Sequence, residues 1–422
     1  MSYALMTDRY ELTMLQAALR SGKSERECVF EVFTRQLPSG RRYGVLAGVG
    51  RVLDAIADFR FGPEELSYLR EAKVVDEETL EWLQNYKFSG SITGYREGEI
   101  YFANSPVMTV RGTFAEAVLL ETVILSILNY DSAVASAASR MHTAASGRFL
   151  AEMGARRAHE SAAIAAARAA FIAGFDATSN LEAGRSWGIP TMGTSAHSFT
   201  LLHDSEKEAF EAQIASMGPD TTLLVDTYDI SAAVKMAVEL TGGKVAAVRI
   251  DSGDLGSTAV EVRRQLDDLG AKQTKIVVTS DLDEYTIAAL SAAPVDRFGV
   301  GTSLVTGSGN PTAGFVYKLV AHTDGADWTE VAKTSKSKTN RGGEKRASRL
   351  IESGIASAEL IGSDAGRPLQ VDLMSQGKAD KQYLGQQGVR AAKAHHLDAK
   401  AELPKTALRL SKGDPAIPTV FS

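Results

Sequence analysis

Three aspartates follow three consecutive apolar runs in the middle of the chain: Asp226, Asp251 and Asp281. A fourth, Asp254, comes three residues after the second of them. Carboxylate oxygens are hard ligands, so a cluster of them could hold Mg²⁺ or the hydroxyl groups of a sugar. An aspartate at a strand end also commonly caps the next helix, which is the more frequent role of any single one. Only their convergence at one edge would indicate a site.

A histidine closes the segment Gly-Thr-Ser-Ala-His at residues 193–197, after a short strand-like run. A histidine in this place can be a general base, a metal ligand or a phosphoryl acceptor, although a structural histidine is commoner. The sequence near His197 has no HxH or HExxH pattern for a metal site, and no GxSxG pattern for a hydrolase triad. His197 therefore remains a candidate for acid–base or phosphoryl chemistry.

Small residues at 299–303, Gly-Val-Gly-Thr-Ser, follow a further apolar run. Glycines let backbone N–H groups approach a phosphate closely, and the hydroxyls of Thr302 and Ser303 add donors. The segment matches neither the Walker A pattern nor GxGxxG, so it indicates a phosphate loop only in combination with other features.

The elements that must position these residues alternate regularly. Apolar runs at residues 222–225, 245–250, 276–278 and 297–300 are separated by helical segments at 231–240, 258–269 and 284–292. Buried apolar strands alternating with helices predict parallel strands with right-handed crossovers, as in a (β/α) barrel or a doubly wound sheet. Both folds carry their chemistry at the carboxyl ends of the strands, where all the polar clusters lie.

The flanking regions have a different pattern. Residues 28–33 and 100–110 look like strands, residues 54–68 and 76–85 like helices, and the alanine-rich residues 133–173 like packed helices. The first 130 or so residues therefore predict an α+β layer. The basic stretch at residues 333–349 is predicted as a solvated loop from its charge pattern alone.

Composition narrows the function classes. A chain of 422 residues predicts two or three domains, and its net charge of −6 argues against nucleic acid or an anionic membrane surface as partner. The single cysteine, Cys28, argues against a disulfide framework and a zinc knuckle, and fits a reducing cytoplasm. The longest apolar run, residues 117–130, is too short to cross a bilayer. We therefore expect a soluble cytoplasmic protein whose phosphate ligands meet a local basic site.

The chain also carries a series of family motifs. Its opening Thr-Asp-Arg-Tyr-Glu-Leu-Thr-Met, at residues 7–14, resembles the TDxYxLTM motif of the nicotinate phosphoribosyltransferases of NAD salvage. Further blocks resemble that family in the same order, at residues 30–48, 116–122, 154–157, 193–197, 249–254, 298–302 and 333–345. So many ordered blocks make the resemblance specific.

The resemblance implies an irregular α/β barrel with an open-faced α/β sandwich built from both chain ends. We expect the barrel at residues 131–325, and the sandwich from residues 1–130 and 326–422. The implied reaction joins nicotinate and phosphoribosyl pyrophosphate to give nicotinate mononucleotide and pyrophosphate, with Mg²⁺ as cofactor. It would be coupled to ATP hydrolysis through a phosphohistidine, as in an ATP-dependent ligase. The implied assembly is a homodimer with shared active sites.

Site residues follow from the resemblance position by position. His197 would be phosphorylated, Arg249 would be catalytic, and Asp251 would lie near the ribose and the metal. The residues expected to bind substrates are Tyr10, Met153, Arg156, Arg157, Ser179, Thr194, Asp254, Ser280, Asp281, Gly301, Thr302, Lys333 and Lys338.

Three of these positions carry more specific expectations. Tyr10 would stack on the pyridine in the neighbouring subunit's site. Met153 stands where the family often has Phe, so a thioether would face the pyridine, and Gly342-Gly343 replaces the usual Pro-Gly of the basic loop. Ser179 stands where nicotinamide-using relatives place an aspartate, and a hydroxyl tolerates the nicotinate carboxylate that an anionic side chain would repel.

Four alternatives remain open. A quinolinate phosphoribosyltransferase needs no phosphohistidine, so His197 argues against it, and Ser179 argues against a nicotinamide phosphoribosyltransferase. A magnesium-dependent barrel phosphohydrolase would use Asp226, Asp251 and Asp281. A non-catalytic nucleotide sensor would leave the set of Arg, Asp and His residues without a purpose.

Overall fold

The computed structural model describes residues 3–325, 327–335, 338–339 and 341–422. Its contacts group the chain into two compact units, one of residues up to Ser136 together with Asn310–Ser422, the other Ala137–Gly309. The predicted domain boundaries at residues 130 and 325 stay predictions, because compactness does not show which segments fold on their own.

The strands are numbered in chain order: β1 Glu27–Thr34, β2 Gly44–Val45, β3 Ser91–Tyr95, β4 Ile100–Tyr101, β5 Met108–Thr113, β6 Phe149–Glu152, β7 Ala177–Thr178, β8 Thr222–Leu224, β9 Ala247–Ile250, β10 Lys275–Val278, β11 Arg297–Val300, β12 Phe315–Asp324, β13 Asp327–Glu330, β14 Thr334–Ser335, β15 Lys338–Thr339, β16 Ala347–Glu352, β17 Ile355–Ile361, β18 Arg367–Pro368, β19 Gln370–Ser375, β20 Lys378–Ala379 and β21 Thr419–Phe421. The helices are α1 Arg9–Arg20, α2 Val49–Asp58, α3 Pro63–Glu71, α4 Glu77–Gln84, α5 Phe114–Val118, α6 Glu121–Ala145, α7 Glu160–Ile172, α8 Leu181–Trp187, α9 His197–Leu202, α10 Glu206–Met217, α11 Ile230–Thr241, α12 Leu255–Asp268, α13 Glu284–Ala289, α14 Thr302–Val305 and α15 Gly385–Ala401.

The unit of residues 137–309 is an open parallel barrel. Its six strands lie in the order β7-β6-β11-β10-β9-β8, and every neighbouring pair is parallel. The last of these strands along the chain, β11, pairs with the first, β6, as in a closed barrel. The barrel nevertheless stays open, because β7 and β8 are the two edge strands of this fully described sheet. The order confirms the predicted irregular (β/α) barrel, and all six carboxyl ends meet at one rim.

Both chain ends contribute to the sheets of the other unit. A seven-stranded sheet has the order β13-β12-β1-β5-β3-β19-β20, and a four-stranded sheet the order β18-β16-β17-β21. Strand β1 pairs antiparallel with both β5 and β12, and β19 pairs antiparallel with β3. The combination of both ends in one α/β unit confirms the predicted fold class, and it gives the last 70 residues a structural role.

Some predicted elements differ in their bounds. The single helix expected at residues 54–68 is the pair α2 and α3, because Gly62 and Pro63 start a new helix. The strand expected at 100–110 is split into β4 and β5. The prediction of packed helices throughout residues 133–173 is wrong, because β6 lies between α6 and α7. Gly147, at φ +82°, follows α6 in a backbone conformation that other residues rarely adopt.

The basic stretch at residues 333–349 is not a loop throughout. It contains β14 and β15, which pair with each other, and the first residues of β16. The ammonium of Lys345 lies 2.7 Å from a carboxylate oxygen of Glu31, and Arg349 is fully buried. The prediction of a solvated loop is therefore wrong for this end of the stretch. Within the described residues, no helix combines the length and the apolar character needed to cross a membrane.

Candidate active site

A cavity of about 210 Å³ opens at the rim of the barrel. It is lined by residues that follow β6, β9, β10 and β11 or lie near their ends: Met153, Arg156, Arg157, Arg249, Asp251, Thr279, Ser280, Asp281, Gly299, Gly301 and Thr302. All except Thr279 and Gly299 are among the site residues that the sequence predicted. Three guanidinium groups and two carboxylates thus share one small cavity with several hydroxyl groups.

Arg249 is held from several sides. Its Nε donates to the hydroxyl of Thr279 at 3.0 Å, one Nη donates to the carbonyl of Ser195 at 3.2 Å, and the other Nη lies 3.2 Å from Asp251 Oδ1. The Thr279 hydroxyl donates in turn to Asp251. Because its side chain is only 15% exposed, the guanidinium is fixed before any ligand arrives.

Asp226 supports this arrangement without lining the cavity itself. Its side chain is 2% exposed, and Oδ2 accepts from the backbone N–H of Asp251 at 2.9 Å and from the Ser252 hydroxyl at 2.7 Å. Oδ1 lies 3.1 Å from Nε2 of His197, whose side chain is 40% exposed at the start of α9. Since Nε2 faces the carboxylate, Nδ1 is the ring nitrogen left for chemistry.

The aspartates therefore do not form one cluster. Asp226 is turned to His197 and the backbone, and Asp254 caps α12 by accepting from the N–H groups of Gly256 and Ser257. The backbone N–H of Ser257 lowers the pKa of Asp254. Asp251 and Asp281 alone line the cavity, and the described part of the chain has no group of three metal-ligating side chains.

The end of β6 brings two arginines to the rim. Glu152 is fully buried and accepts from the Thr178 hydroxyl and from the N–H of Gly154, and burial raises its pKa. These bonds fix the start of the 3₁₀ turn Ala155–Arg157, which carries the exposed Arg156 and Arg157. Both lie at the cavity.

Met153 explains the glycine that faces it. A Cβ at Gly299 would lie 2.6 Å from Met153 Sδ and 2.6 Å from a methyl carbon of Thr279, which is closer than packed atoms approach. Gly299 therefore leaves room for the thioether on the wall of the cavity.

Two loops complete the wall. Ser280 has φ +117°, which is rare for a residue with a side chain, and Gly301 precedes α14. Strained residues of this kind persist only where their surroundings hold them, and they concentrate at functional sites. Four of the predicted site residues, Ser280, Asp281, Gly301 and Thr302, lie at the cavity.

The remaining predicted site residues do not line the cavity. The hydroxyl of Thr194 accepts a hydrogen bond from Arg249 at 3.4 Å. Ser179 is exposed one residue beyond β7, and its N–H donates to the carbonyl of Glu152.

Tyr10, on α1, is 45% exposed, and burial together with Glu121 and Glu11 raises its pKa. Lys333 is exposed, and Lys338 lies in β15, with its side chain outside the described residues. Tyr10 and both lysines belong to the unit formed by the chain ends.

Two family models match successive parts of the chain. Residues 5–129 match the model of the nicotinate phosphoribosyltransferase N-terminal domain, and residues 149–352 match that of the nicotinate phosphoribosyltransferase family. A nicotinate phosphoribosyltransferase of Mycobacterium tuberculosis is 51% identical over 98% of this chain and 94% of its own length.

Two solved structures share the fold. The human nicotinic acid phosphoribosyltransferase superposes with a TM-score of 0.84 at 23% identity, covering 99% of this chain and 97% of that one. The nicotinate-nucleotide pyrophosphorylase of Pyrococcus furiosus gives 0.76 at 24% identity, covering 94% and 95%. The sequence matches and the fold agree, and the chain belongs to the nicotinate phosphoribosyltransferase family.

Proposed function

We propose that this protein transfers a phosphoribosyl group from phosphoribosyl pyrophosphate to nicotinate. The observation that carries the proposal is the fixed Arg249–Thr279–Asp251 arrangement, in a cavity that also contains Arg156 and Arg157. Guanidinium groups bind phosphate and carboxylate oxygens in pairs, so this cavity suits a pyrophosphate and an acidic base.

The chemistry needs charge stabilisation more than proton transfer. The pyridine nitrogen attacks the anomeric carbon, the bond from that carbon to pyrophosphate breaks, and the electron pair leaves with the pyrophosphate. Positive charge develops on the sugar, near Asp251 and Asp281, while the arginines stabilise the leaving group. No general base is required, because the pyridine nitrogen already carries a free electron pair.

Mg²⁺ fits these residues as an ion that binds together with the substrate. In protein sites it usually binds one or two carboxylates plus substrate phosphates, so Asp251 and Asp281 suffice without a third carboxylate. Bound there, Mg²⁺ would neutralise charge on the departing pyrophosphate.

ATP coupling would use His197. Asp226 faces Nε2, which leaves the Nδ1 electron pair to attack the γ-phosphorus of ATP as ADP departs. Water later takes the phosphoryl group, so the net reaction is ATP hydrolysis. The 40% exposure of the His197 side chain gives ATP access to it.

We extend the proposal to NAD salvage in the cytoplasm and to a homodimer in which Tyr10 enters the partner's site.

The direct test is synthesis of the mononucleotide. The purified protein is incubated with Mg²⁺, phosphoribosyl pyrophosphate and labelled nicotinate, nicotinamide or quinolinate, each with and without ATP. We expect product from nicotinate, increased by ATP. Product from quinolinate or nicotinamide alone, or none from natively folded protein, would overturn the proposal.

The His197→Ala variant tests the coupling. It should keep slow synthesis without ATP and lose ATP hydrolysis, because the phosphoryl acceptor is gone. His159→Ala is the matched control, since the side chain of His159 is 71% exposed and lies outside the cavity. If His197→Ala still couples hydrolysis to synthesis, the histidine has a different role.

A further inference from the structure

Two loops of the barrel unit supply much of the cavity wall. The aspartate loop, residues 279–283, contributes Ser280 and Asp281, and the glycine loop, residues 301–309, contributes Gly301 and Thr302. They follow β10 and β11, which are parallel neighbours, but no strand pairing holds the loops themselves. Something else must fix their separation.

A buried carboxylate joins the two loops. Glu284 follows the aspartate loop directly and is 1% exposed. One of its oxygens accepts from Arg140 Nε at 3.0 Å, and the other accepts from the hydroxyl of Ser308 in the glycine loop. Arg140 also donates to the Tyr285 hydroxyl at 3.2 Å. The contact therefore links both loops through an ion pair that neutralises the buried charge.

The aspartate loop is rigidly connected to Glu284. Asp283 caps α13 by accepting from the N–H groups of Tyr285 at 3.0 Å and Thr286 at 2.7 Å. The N–H of the buried Leu282 donates to the carbonyl of Ser280 at 2.9 Å. A fixed Glu284 thus fixes the neighbouring Ser280 and Asp281.

The glycine loop meets Glu284 at a strained residue. Ser308 has φ +53°, between Gly307 at +63° and Gly309 at +82°. A serine in this conformation is unfavourable unless its side chain is held, and here its hydroxyl bonds to a buried carboxylate. The N–H of Ser308 also donates to the carbonyl of Ser303 at 2.6 Å, which connects the strained turn to α14 and so to Thr302.

We propose that Glu284 and Ser308 are positioning residues that hold the aspartate loop and the glycine loop at the separation a phosphorylated sugar requires. This inference rests on the proposed function for the identity of the ligand, phosphoribosyl pyrophosphate. It assigns a function to two residues that do not touch the substrate, and it explains a serine where the backbone conformation favours glycine.

Ser308→Ala and Ser308→Gly separate this role from simple folding. Both remove the hydroxyl, but Ser308→Gly also relieves the strain at φ +53°. We expect each variant to weaken Mg²⁺–phosphoribosyl pyrophosphate binding about ten-fold, the usual effect of losing a hydrogen bond to a charged group. Calorimetric titration should show the loss in the Kd for this substrate, and steady-state kinetics should show it in the KM. The kcat and the KM for nicotinate should change less than about two-fold.

Thr306→Ala is the matched control. Its hydroxyl lies in the same loop but bonds only to the carbonyls of Thr302 and Ser303, within its own turn. The affinity of this variant for Mg²⁺–phosphoribosyl pyrophosphate should equal that of the unmodified protein. Glu284→Gln breaks the buried ion pair with Arg140 and serves only as a stability reference.

Hydrogen exchange tests the contact independently of activity. Amides at residues 301–309 should exchange about ten-fold faster in Ser308→Ala and Ser308→Gly than in Thr306→Ala. Unchanged exchange would overturn the proposal whether or not the protein binds phosphoribosyl pyrophosphate. Faster exchange with unchanged affinity would overturn the positioning role alone. If the unmodified protein binds no phosphoribosyl pyrophosphate while exchange responds as expected, the proposed function fails and the contact between the loops stands.

Discussion

At the scale of single residues, Arg249 is the group on which the proposed chemistry most depends. Four partners hold its guanidinium at the cavity before substrate binds, so little reorganisation remains for the reaction. Arg249→Ala should lose about 2 to 4 kcal/mol of transition-state stabilisation, the usual cost of removing one such donor, and kcat/KM should fall accordingly. Steady-state kinetics with both substrates gives this number.

The controls distinguish geometry from charge. Arg249→Lys keeps the charge but loses the planar fork, so it should recover only a small part of the activity. Arg264→Ala removes an exposed arginine from α12 and should leave kcat/KM unchanged. Full activity of Arg249→Lys would mean that charge alone is sufficient.

The sequence indicates the residues that line the cavity better than it indicates the residues that hold them in place. Periodicity and topology bring Asp251, Ser280 and Asp281 together after the ends of parallel strands, and Arg249 follows only from the family resemblance. The roles of Asp226 and Asp254 could not be separated in advance, because both have the same local pattern. Tertiary contact with His197 and helix capping distinguish them.

At the scale of elements, β6 shows where local pattern fails. Its residues lie in an alanine-rich stretch that favours helix, and pairing with the distant β11 makes them a strand. Local pattern therefore does not reveal Glu152, which anchors the turn carrying Arg156 and Arg157. A four-residue strand depends on its partners more than on its own composition.

Helix α1 offers a prediction at this scale. Glu11 is fully buried and accepts from the N–H of Thr122 at 2.9 Å, from its hydroxyl, and from the hydroxyl of Thr7, which ties α1 to the start of α6. Burial raises its pKa to about 7. Since the folded pKa lies above the unfolded value of 4.5, the folded state favours the neutral carboxyl, and this contribution is lost as the pH rises from about 4.5 to 7.

Glu11→Gln should therefore stabilise the protein at high pH. The amide keeps the neutral shape and an acceptor for Thr122, so the gain at pH 8 should be about 3 kcal/mol, and near pH 4 it should vanish. Urea unfolding at pH 5, 6, 7 and 8 measures the trend. Gln16→Glu, on the same helix but not buried, is the comparison. A gain that is independent of pH would contradict a buried ionisable Glu11.

At the scale of the whole molecule, both ends of the chain meet in a buried ion cluster. Arg349, in β16, lies 2.7 Å from Glu99 and 2.6 Å from Glu359, and all three side chains are essentially inaccessible. Burial alone would raise the pKa of Glu99, but the hydrogen bond from His395 and the charges of Arg349 and Arg367 hold it well below its usual range. Pairing across some 250 residues leaves no local trace, so the same basic stretch that suggested phosphate binding could not reveal a structural arginine.

Arg349 should therefore stabilise the protein far more than its charged neighbours do. Arg349→Ala leaves two carboxylates buried without their common cation, which typically costs about 3 to 5 kcal/mol. Arg346→Ala, three residues away, breaks an exposed pair with Asp364 and should cost less than about 1 kcal/mol. Removing Arg349 also takes away one of the charges that hold the pKa of Glu99 down, so the deficit of the alanine variant should grow as the pH rises. Urea unfolding of both variants at pH 5.5 and 8 measures the difference, and equal stability of the two would show that the buried cluster does not hold the chain ends together.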